Sequence, residues 1–337
     1  MRFLVTADLH IQKADRLPLL ERILRTAEEQ VCDALLIGGD LLDSPFPEAE
    51  AEKGILSLFA QWSKPIFLVA GNHDPLALTA LYGRMPANVT VFPETLTAYT
   101  LGQNLRLYGY SALREQSDRH PLAGFSVPRG ETALLLGHGH FEGTDFQPVR
   151  PEELVQSGVS LAVLGHIHKG EQRQIGGCRL LIPGIPQGRG WDETGEKFVY
   201  RVDADEKGIA VEPLSVAEVQ YRQEEAELTG CTSAEEMLTR MERHLPKANT
   251  VVRLVLTGEV AEEADIAARL FTEKYGIEVI DRTTPALSAE AMQQQNTLQG
   301  HFVRRAMKEI ANATPQERPI LEEALRLGLK ALKEARL

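Results

Sequence analysis

The stretch FLVTADLH at residues 3–10 is a short β-rich run that ends in two ligand-type side chains, Asp8 and His10. The plan recurs in ALLIGGD (34–40), which runs on to Asp43, and in IFLVAGNHD (66–74). Asp8, Asp40 and Asn72 stand thirty-two residues apart. Between the first two runs, Leu20, Ile23, Leu24, Ala27 and Val31 recur at helical spacing, and 48–61 makes a second helical segment. Strand–helix–strand repetition predicts parallel βαβ units. The carboxyl ends of neighbouring parallel strands lie side by side, so the three side chains should converge on one edge. In extended chain, residues i and i+2 point the same way, which would aim Asp8 and His10 into one cavity.

Further along, GHGH (137–140) follows TALLL and GHIH (165–168) follows SLAVL, and these tetrapeptides hold four of the nine histidines. His138 or His140, then His166 with His168, would extend the same edge. Imidazole, carboxylate and amide oxygen without thiolate suit Mn, Fe or Zn rather than calcium or an iron–sulfur cluster. About seven donors are too many for one ion with open positions and right for two ions sharing a carboxylate. Such a pair activates water at neutral pH and clamps an in-line phosphoryl displacement.

Composition narrows the partners. Net charge is −12, and Lys+Arg against Asp+Glu is 18 to 24 both for residues 1–200 and for 201–337. Neither half carries the basic footprint usual for a duplex binder, although bound cations would offset part of the acidity. No apolar run approaches a membrane span. Met1 leads straight into a strand-like segment, and Cys32, Cys178 and Cys231 lack any CxxC. A reducing cytoplasm is the expected location, with no membrane association.

Beyond residue 200 the ligand-type motifs stop. Ser233 with Glu236 predicts a capping box for a helix over 233–244. TVVRLVLTG reads as a strand, 262–275 as an amphipathic helix and GIEVID as another strand. From Thr297 the chain reads as two helices split at Thr314-Pro315. Phe302, Val303, Ala306, Met307, Ile310 and Ala311 stripe one; Ile320, Leu321, Ala324, Leu325, Ala331 and Leu332 stripe the other. They are expected to be core helices, or else a partner-binding hairpin. The expected fold class is α/β: a layered α/β/β/α sandwich over 1–212, a small α+β domain over 213–290 and C-terminal helices over 291–337.

The ordered series DxH, GDxxD, GNHD, H, GHxH resembles the calcineurin-like metallophosphoesterases. GGDLLD, GHIHKGE and IPGIPQGRGWDETGEKFVYRV are similar to the SbcD-type DNA repair exonucleases, and to their YhaO-like bacterial branch in particular. The resemblance covers roughly 1–205. It implies one metal on Asp8, His10, Asp40 and His168 and another on Asp40, Asn72, His138 and His166, with Asp40 bridging and Mn2+ the expected ion. His138 is preferred to His140 because it directly follows LLLG, where the family has a single ligand. His73 would then act on the leaving oxygen or orient the phosphate, while Asp74 and Asp43 would fix ring orientations.

By resemblance the small domain would be a capping domain and the last helices would meet an SbcC-like coiled-coil ABC-type ATPase, with a homodimer as the assembly. The implied function is a two-metal DNA exonuclease or endonuclease in double-strand break repair. The alternatives are a small-molecule or cyclic-nucleotide phosphodiesterase, a protein phosphatase, or a structural subunit with a vestigial site.

Overall fold

The computed structural model describes residues 1–144, 146–205, 208–260, 264–285 and 296–334. Its contacts divide the chain into two units, Met1–Gln220 and Tyr221–Leu337. The first division thus falls slightly beyond the expected 212. The second expected boundary, at 290/291, lies outside the described residues.

The first unit begins β1 (Arg2–Thr6), α1 (Leu17–Glu29), β2 (Ala34–Ile37), α2 (Ala49–Gln61), β3 (Ile66–Leu68) and β4 (Val89–Val91). It continues through β5 (Thr97–Thr100), β6 (Leu105–Gly109), β7 (Thr132–His138), α3 (Pro151–Ser157), β8 (Leu161–Gly165), β9 (Glu171–Ile175) and β10 (Cys178–Ile182). It closes with β11 (Val199–Asp205) and β12 (Gly208–Leu214). One six-stranded sheet has the order β12-β11-β1-β2-β3-β4 and the other β5-β6-β7-β8-β10-β9. β1 to β4 run parallel, as do β6, β7, β8 and β10, with antiparallel strands at the margins.

Alternation within each strand explains the layers. Phe3, Val5, Leu36 and Phe67 face Leu134, Leu136, Leu161 and Val163 of the second sheet. Leu4, Leu35, Ile37, Ile66 and Leu68 turn to the other side, onto Leu20, Ile23, Ile55 and Phe59 of α1 and α2. On the far face of the second sheet, Ala133, Leu135, Ala162 and Leu164 pack with Leu154 of α3. Strands buried on both faces read as continuous apolar runs, and that is why these did. The architecture is the expected α/β/β/α sandwich.

Val31, taken from the sequence as part of the first helical stripe, lies past the end of α1 at φ 53° and is 68% exposed. Helical spacing alone could not see the helix end two residues earlier.

In the second unit a three-stranded sheet (Gln220–Glu227, Thr250–Thr257, Glu278–Asp281) packs with helices Ala234–Met241 and Ala264–Tyr275 around Met237, Met241, Leu254, Leu256 and Phe271. Ser233 Oγ accepts from Glu236 N as a cap should, but the Glu236 carboxylate takes Thr232 N rather than Ser233 N. Residues 262–263 of the expected second helix lie outside the described residues. The closing helices, Leu298–Asn312 and Arg318–Glu334, share a small core of Val303, Ile310, Leu325 and Leu329. Ile320, assigned from the sequence to that stripe, is 70% exposed. Among the described residues no helix is long and apolar enough to cross a membrane.

Leu36 is wholly buried between the two sheets. Leu36→Ala is expected to cost about 2–5 kcal/mol, read as a lower urea midpoint with an unchanged slope.

Candidate metal centre

The first strands end before the residues of interest begin: β1 stops at Thr6, β2 at Ile37 and β3 at Leu68. Asp8 (φ 54°), His10 (φ 49°) and Asp40 (φ 47°) all adopt left-handed backbone, and His166, just past β8, has φ 99°. Only eight described non-glycine residues have positive φ, and four are site candidates. The side chains therefore converge by sharp bends after the strands. The extended i, i+2 alternation expected from the sequence is not what aims them. Strained backbone of this kind gathers at functional sites.

Glycines make the bends fit. A Cβ on Gly39 (φ 91°) would lie 2.2 Å from His138 Nδ1, one on Gly71 would lie 2.0 Å from Asp40 Oδ1, and one on Gly165 would lie 1.9 Å from Gly38 O. The glycine of each GD, GN and GH pair is thus the seat of a group from a neighbouring strand end. Asp8 N donates to Gly39 O at 3.0 Å within the first sheet, and His166 N donates to Asp8 Oδ1 at 3.0 Å, a bond that ties the second sheet to the first.

Asp8, His10, Asp40 and His138 are buried; Asn72, His166 and His168 are half-buried. Donor atoms of Asp8, His10 and His168 close within 4.8 Å of one another, as do those of Asp8, Asp40 and His138, and those of His10, Asp40 and His73. Asp40 Oδ2 lies 3.9 Å from His10 Nε2 and 3.4 Å from His138 Nε2, between the two halves of the cluster. Asn72 Oδ1 is 3.0 Å from His138 Nε2 and 2.9 Å from His166 Nδ1. His138 joins one of the three donor groups, whereas His140, like His166, joins none; the His140 ring centroid lies 5.7 Å from that of His166.

Ring partners test whether cations fit. His138 Nδ1 lies 2.8 Å from Gly38 O, a pure acceptor, so Nδ1 carries a proton and Nε2 is the nitrogen turned toward Asp40. His168 Nδ1 lies 2.8 Å from Glu193 Oε1. His10 Nδ1 lies 3.1 Å from Asp43 Oδ1, though without hydrogen-bond alignment. These anions draw the Nδ1 protons and leave lone pairs on both Nε2 atoms, which face each other across 3.0 Å. Lone pair against lone pair is repulsive, and a cation between them relieves it. The donor set fits divalent metal.

Burial pushes the Asp8 carboxyl up to about 6, against the pull of His138. Burial lowers the His10 imidazole to about 3, keeping its lone pair available. Burial opposes charge on His138 and Asp40 too. Without a cation their mutual attraction wins, raising the imidazole to about 9 and holding the carboxyl below the usual carboxylate range, so a metal at this site must displace the proton that His138 shares with Asp40.

Asp74 is wholly buried and accepts from Leu42 N (2.9 Å), Gly71 N (2.7 Å) and the Tyr82 hydroxyl (2.5 Å). Burial pushes its carboxyl up to about 7, with Asp40 adding to the effect. Its bonds go to backbone amides and a phenol, so it braces the loops after β2 and β3 and orients no histidine ring. Asp43 does face a ring, that of His10, and its carbonyl oxygen lies 3.0 Å from Nδ1 of the exposed His73.

The sequence reading gave no role to Arg189, Glu193 or Phe146. Arg189 bonds Asp43 Oδ1 and Glu193 Oε1, each at 2.9 Å, and Glu193 in turn holds His168. Phe146 stacks on His166 with centroids 5.2 Å apart. GRGWDE contained the first two, but nothing in a single sequence says that a residue far from the strand ends folds back against them.

The family model for calcineurin-like phosphoesterases matches residues 1–170. The chain belongs to that family. Among curated proteins it is similar to the uncharacterized metallophosphoesterase YhaO of Bacillus subtilis (strain 168), 25% identical over 264 residues. That match covers 72% of this chain and 64% of the relative's length. Similar solved structures include a dimetal phosphatase from Danio rerio, with 13% identity, TM-score 0.46, and 64% of this chain and 96% of that one covered. An archaeal phosphodiesterase has 15% identity, TM-score 0.40, and coverage of 64% and 100%.

As a member of this phosphoesterase family, the chain offers a direct test of its donor set. His138→Ala is expected to lose one of two bound metals and His140→Ala to keep both, counted by plasma mass spectrometry after dialysis. Proton competition should weaken metal binding as pH falls through about 6, where Asp8 takes up its proton and ceases to donate. Titration calorimetry at pH 5 and pH 7 would reveal it.

Proposed function

We propose that this chain is a two-metal phosphodiesterase that cuts DNA, acting in double-strand break repair. The observation that carries the hydrolytic reading is the convergence of His10 Nε2 and His168 Nε2, 3.0 Å apart, with Asp8, Asp40 and His138 in overlapping donor groups, beside the exposed His73. One metal would be held by Asp8, His10, Asp40 and His168 and the other by Asp40, Asn72, His138 and His166. When bound, the ions would supply positive charge to the phosphate oxygens and acidify an attacking water.

The protein's own groups do the rest. His73 Nδ1 lies 3.0 Å from the Asp43 carbonyl oxygen, an acceptor, so Nδ1 keeps its proton; as the imidazolium, His73 would give its second proton, on Nε2, to the leaving oxygen and remain neutral with Nδ1 still bonded. Its backbone N donates to Asp40 Oδ1 at 2.9 Å, which locks the loop that carries it. Glu193 bonds His168 Nδ1 and Asp43 faces His10 Nδ1 at 3.1 Å, so both rings present Nε2 inward.

Support for DNA as the substrate is narrower. It rests on the resemblance of IPGIPQGRGWDETGEKFVYRV to SbcD-type nucleases, a segment whose Arg189 and Glu193 stand against the centre. The same resemblance supports Mn2+ as the ion, a homodimer and a coiled-coil ABC-type ATPase as the partner of the closing helices. One observation favours a second reading: a net charge of −12 suits a small phosphodiester better than a duplex.

End-labelled double- and single-stranded DNA should be degraded with Mn2+ and left intact in EDTA. Asp40→Ala and His73→Ala should lower the rate at least about a hundredfold. Cleavage of bis-p-nitrophenyl phosphate with DNA untouched would leave the centre standing and replace the substrate.

A further inference from the structure

Three charged side chains outside the donor set form a closed circuit with two of the donors. Asp43 Oδ1 lies 3.1 Å from His10 Nδ1 and accepts from Arg189 Nη1 at 2.9 Å. Glu193 Oε1 lies 2.8 Å from His168 Nδ1 and accepts from Arg189 Nη2 at 2.9 Å. Each carboxylate thus turns one and the same oxygen to an imidazole and to the guanidinium. The far nitrogens of the two rings, His10 Nε2 and His168 Nε2, meet at 3.0 Å and close the circuit. Arg189 is the member opposite that gap.

The circuit joins parts of the chain that nothing local would align. His10 and Asp43 follow β1 and β2 of the first sheet, His168 follows β8 of the second, and Arg189 and Glu193 lie in the connection from β10 to β11. Within that connection Arg189 and Glu193 form one unit: Arg189 N donates to Glu193 Oε2 at 2.7 Å and Nε to Oε1 at 3.2 Å. Gln187, just before it, is anchored on α1 by Arg22 Nη2 at 2.9 Å. The Nη1 bond to Asp43 then carries the unit across to the loop after β2.

A single exposed ion pair contributes little, but this guanidinium is held through three nitrogens by two carboxylates. Its planar fork fixes the spacing of the oxygens it binds. Each of those oxygens faces a ring nitrogen, so fixing the oxygens fixes the rings. Without the cation, the two carboxylates would repel each other and be free to swing away from the imidazoles.

We propose that Arg189 is a positioning residue that makes His10 and His168 a single metal-binding unit, and so governs one of the two ions and not the other. The inference deepens the two-metal reading and rests on it. Donors assigned to the other ion are oriented elsewhere: His138 Nδ1 by Gly38 O, and Asn72 Oδ1 by the His138 and His166 rings. None of those bonds involves Arg189.

The test strips the full chain of metal with EDTA, titrates it with Mn2+ and counts bound ions by plasma mass spectrometry. The wild type is expected to bind two. Arg189→Met should weaken one of them about ten- to a hundredfold and leave the other unchanged, the effect of removing a group that orients a ligand ring. In His168→Ala, where that ion is already lost, adding Arg189→Met should change nothing further. Arg189→Lys keeps the charge without the planar fork and should still bind that ion several-fold more weakly than the wild type. Imidazole nitrogen NMR of the metal-free protein gives a second readout. His10 and His168 should each show one Nδ1–H tautomer, and Arg189→Met should turn both into mixtures while His138 keeps its spectrum.

One ion weakened, with both rings altered in the metal-free protein, establishes the brace. The proposal is overturned if Arg189→Met binds both ions as the wild type does or weakens both alike. It is overturned too if Arg189→Lys restores binding in full, because charge and not bridging would then be the contribution. Failure of the two-metal reading would look different: the wild type itself would bind fewer than two ions, and the proposal would fall with it. Should Arg189→Met fail to fold, as judged by circular dichroism, Arg189→Lys alone decides.

Discussion

The close approach of Gly38 and Gly39, at the end of one sheet, to His138 and Gly165, at the end of the other, is the contact on which the site depends. No side chain fits there: a Cβ on Gly39 or Gly165 would sit within 2.2 Å of the opposing atoms. That approach lets the Gly38 carbonyl fix the His138 tautomer and the Asp8 carboxylate cap the His166 amide. Two sheets held only by their apolar interface could slide by a fraction of a residue. These polar stitches set the register in which donors from five strand ends meet.

Electrostatics then follow from burial. Asp8, Asp40 and His138 are withdrawn from water, where isolated charges would be untenable, so each takes its protonation state from the others. The outer carboxylates have a separate task. Asp43 and Glu193 face the Nδ1 atoms of His10 and His168 and turn the basic nitrogens inward. Asp74, which looks like a third member of that set, instead ties together Leu42, Gly71 and Tyr82. Residue type and spacing could not separate these roles; only the direction of each carboxylate does.

Much of the fold was legible because its strands are buried on both faces and end in polar residues. β1, β2, β3, β7 and β8 could be placed from apolar runs and the ligand-type residues after them. The candidate donors were legible for the same reason, since a strand end announces itself. What escaped was local or distant. Left-handed backbone at Asp8, His10 and Asp40 cannot be read from alternation, and Val31 kept the helical spacing after its helix had stopped. Arg189 and Glu193 reach the centre through a loop whose path no periodicity encodes.

The bent backbone also limits which residues can stand at these positions. Left-handed φ is easiest for glycine, and among residues with side chains it is best tolerated by asparagine, aspartate and histidine. Hard-to-intermediate metals favour carboxylate, amide oxygen and imidazole donors, which asparagine, aspartate and histidine also provide. Two unrelated filters, one steric and one chemical, therefore pass the same short alphabet at 8, 10, 40 and 166. Glutamate passes the second filter and is disfavoured by the first. The backbone thus narrows exchange of one ligand type for another at these bends toward aspartate, asparagine and histidine, before coordination chemistry is consulted.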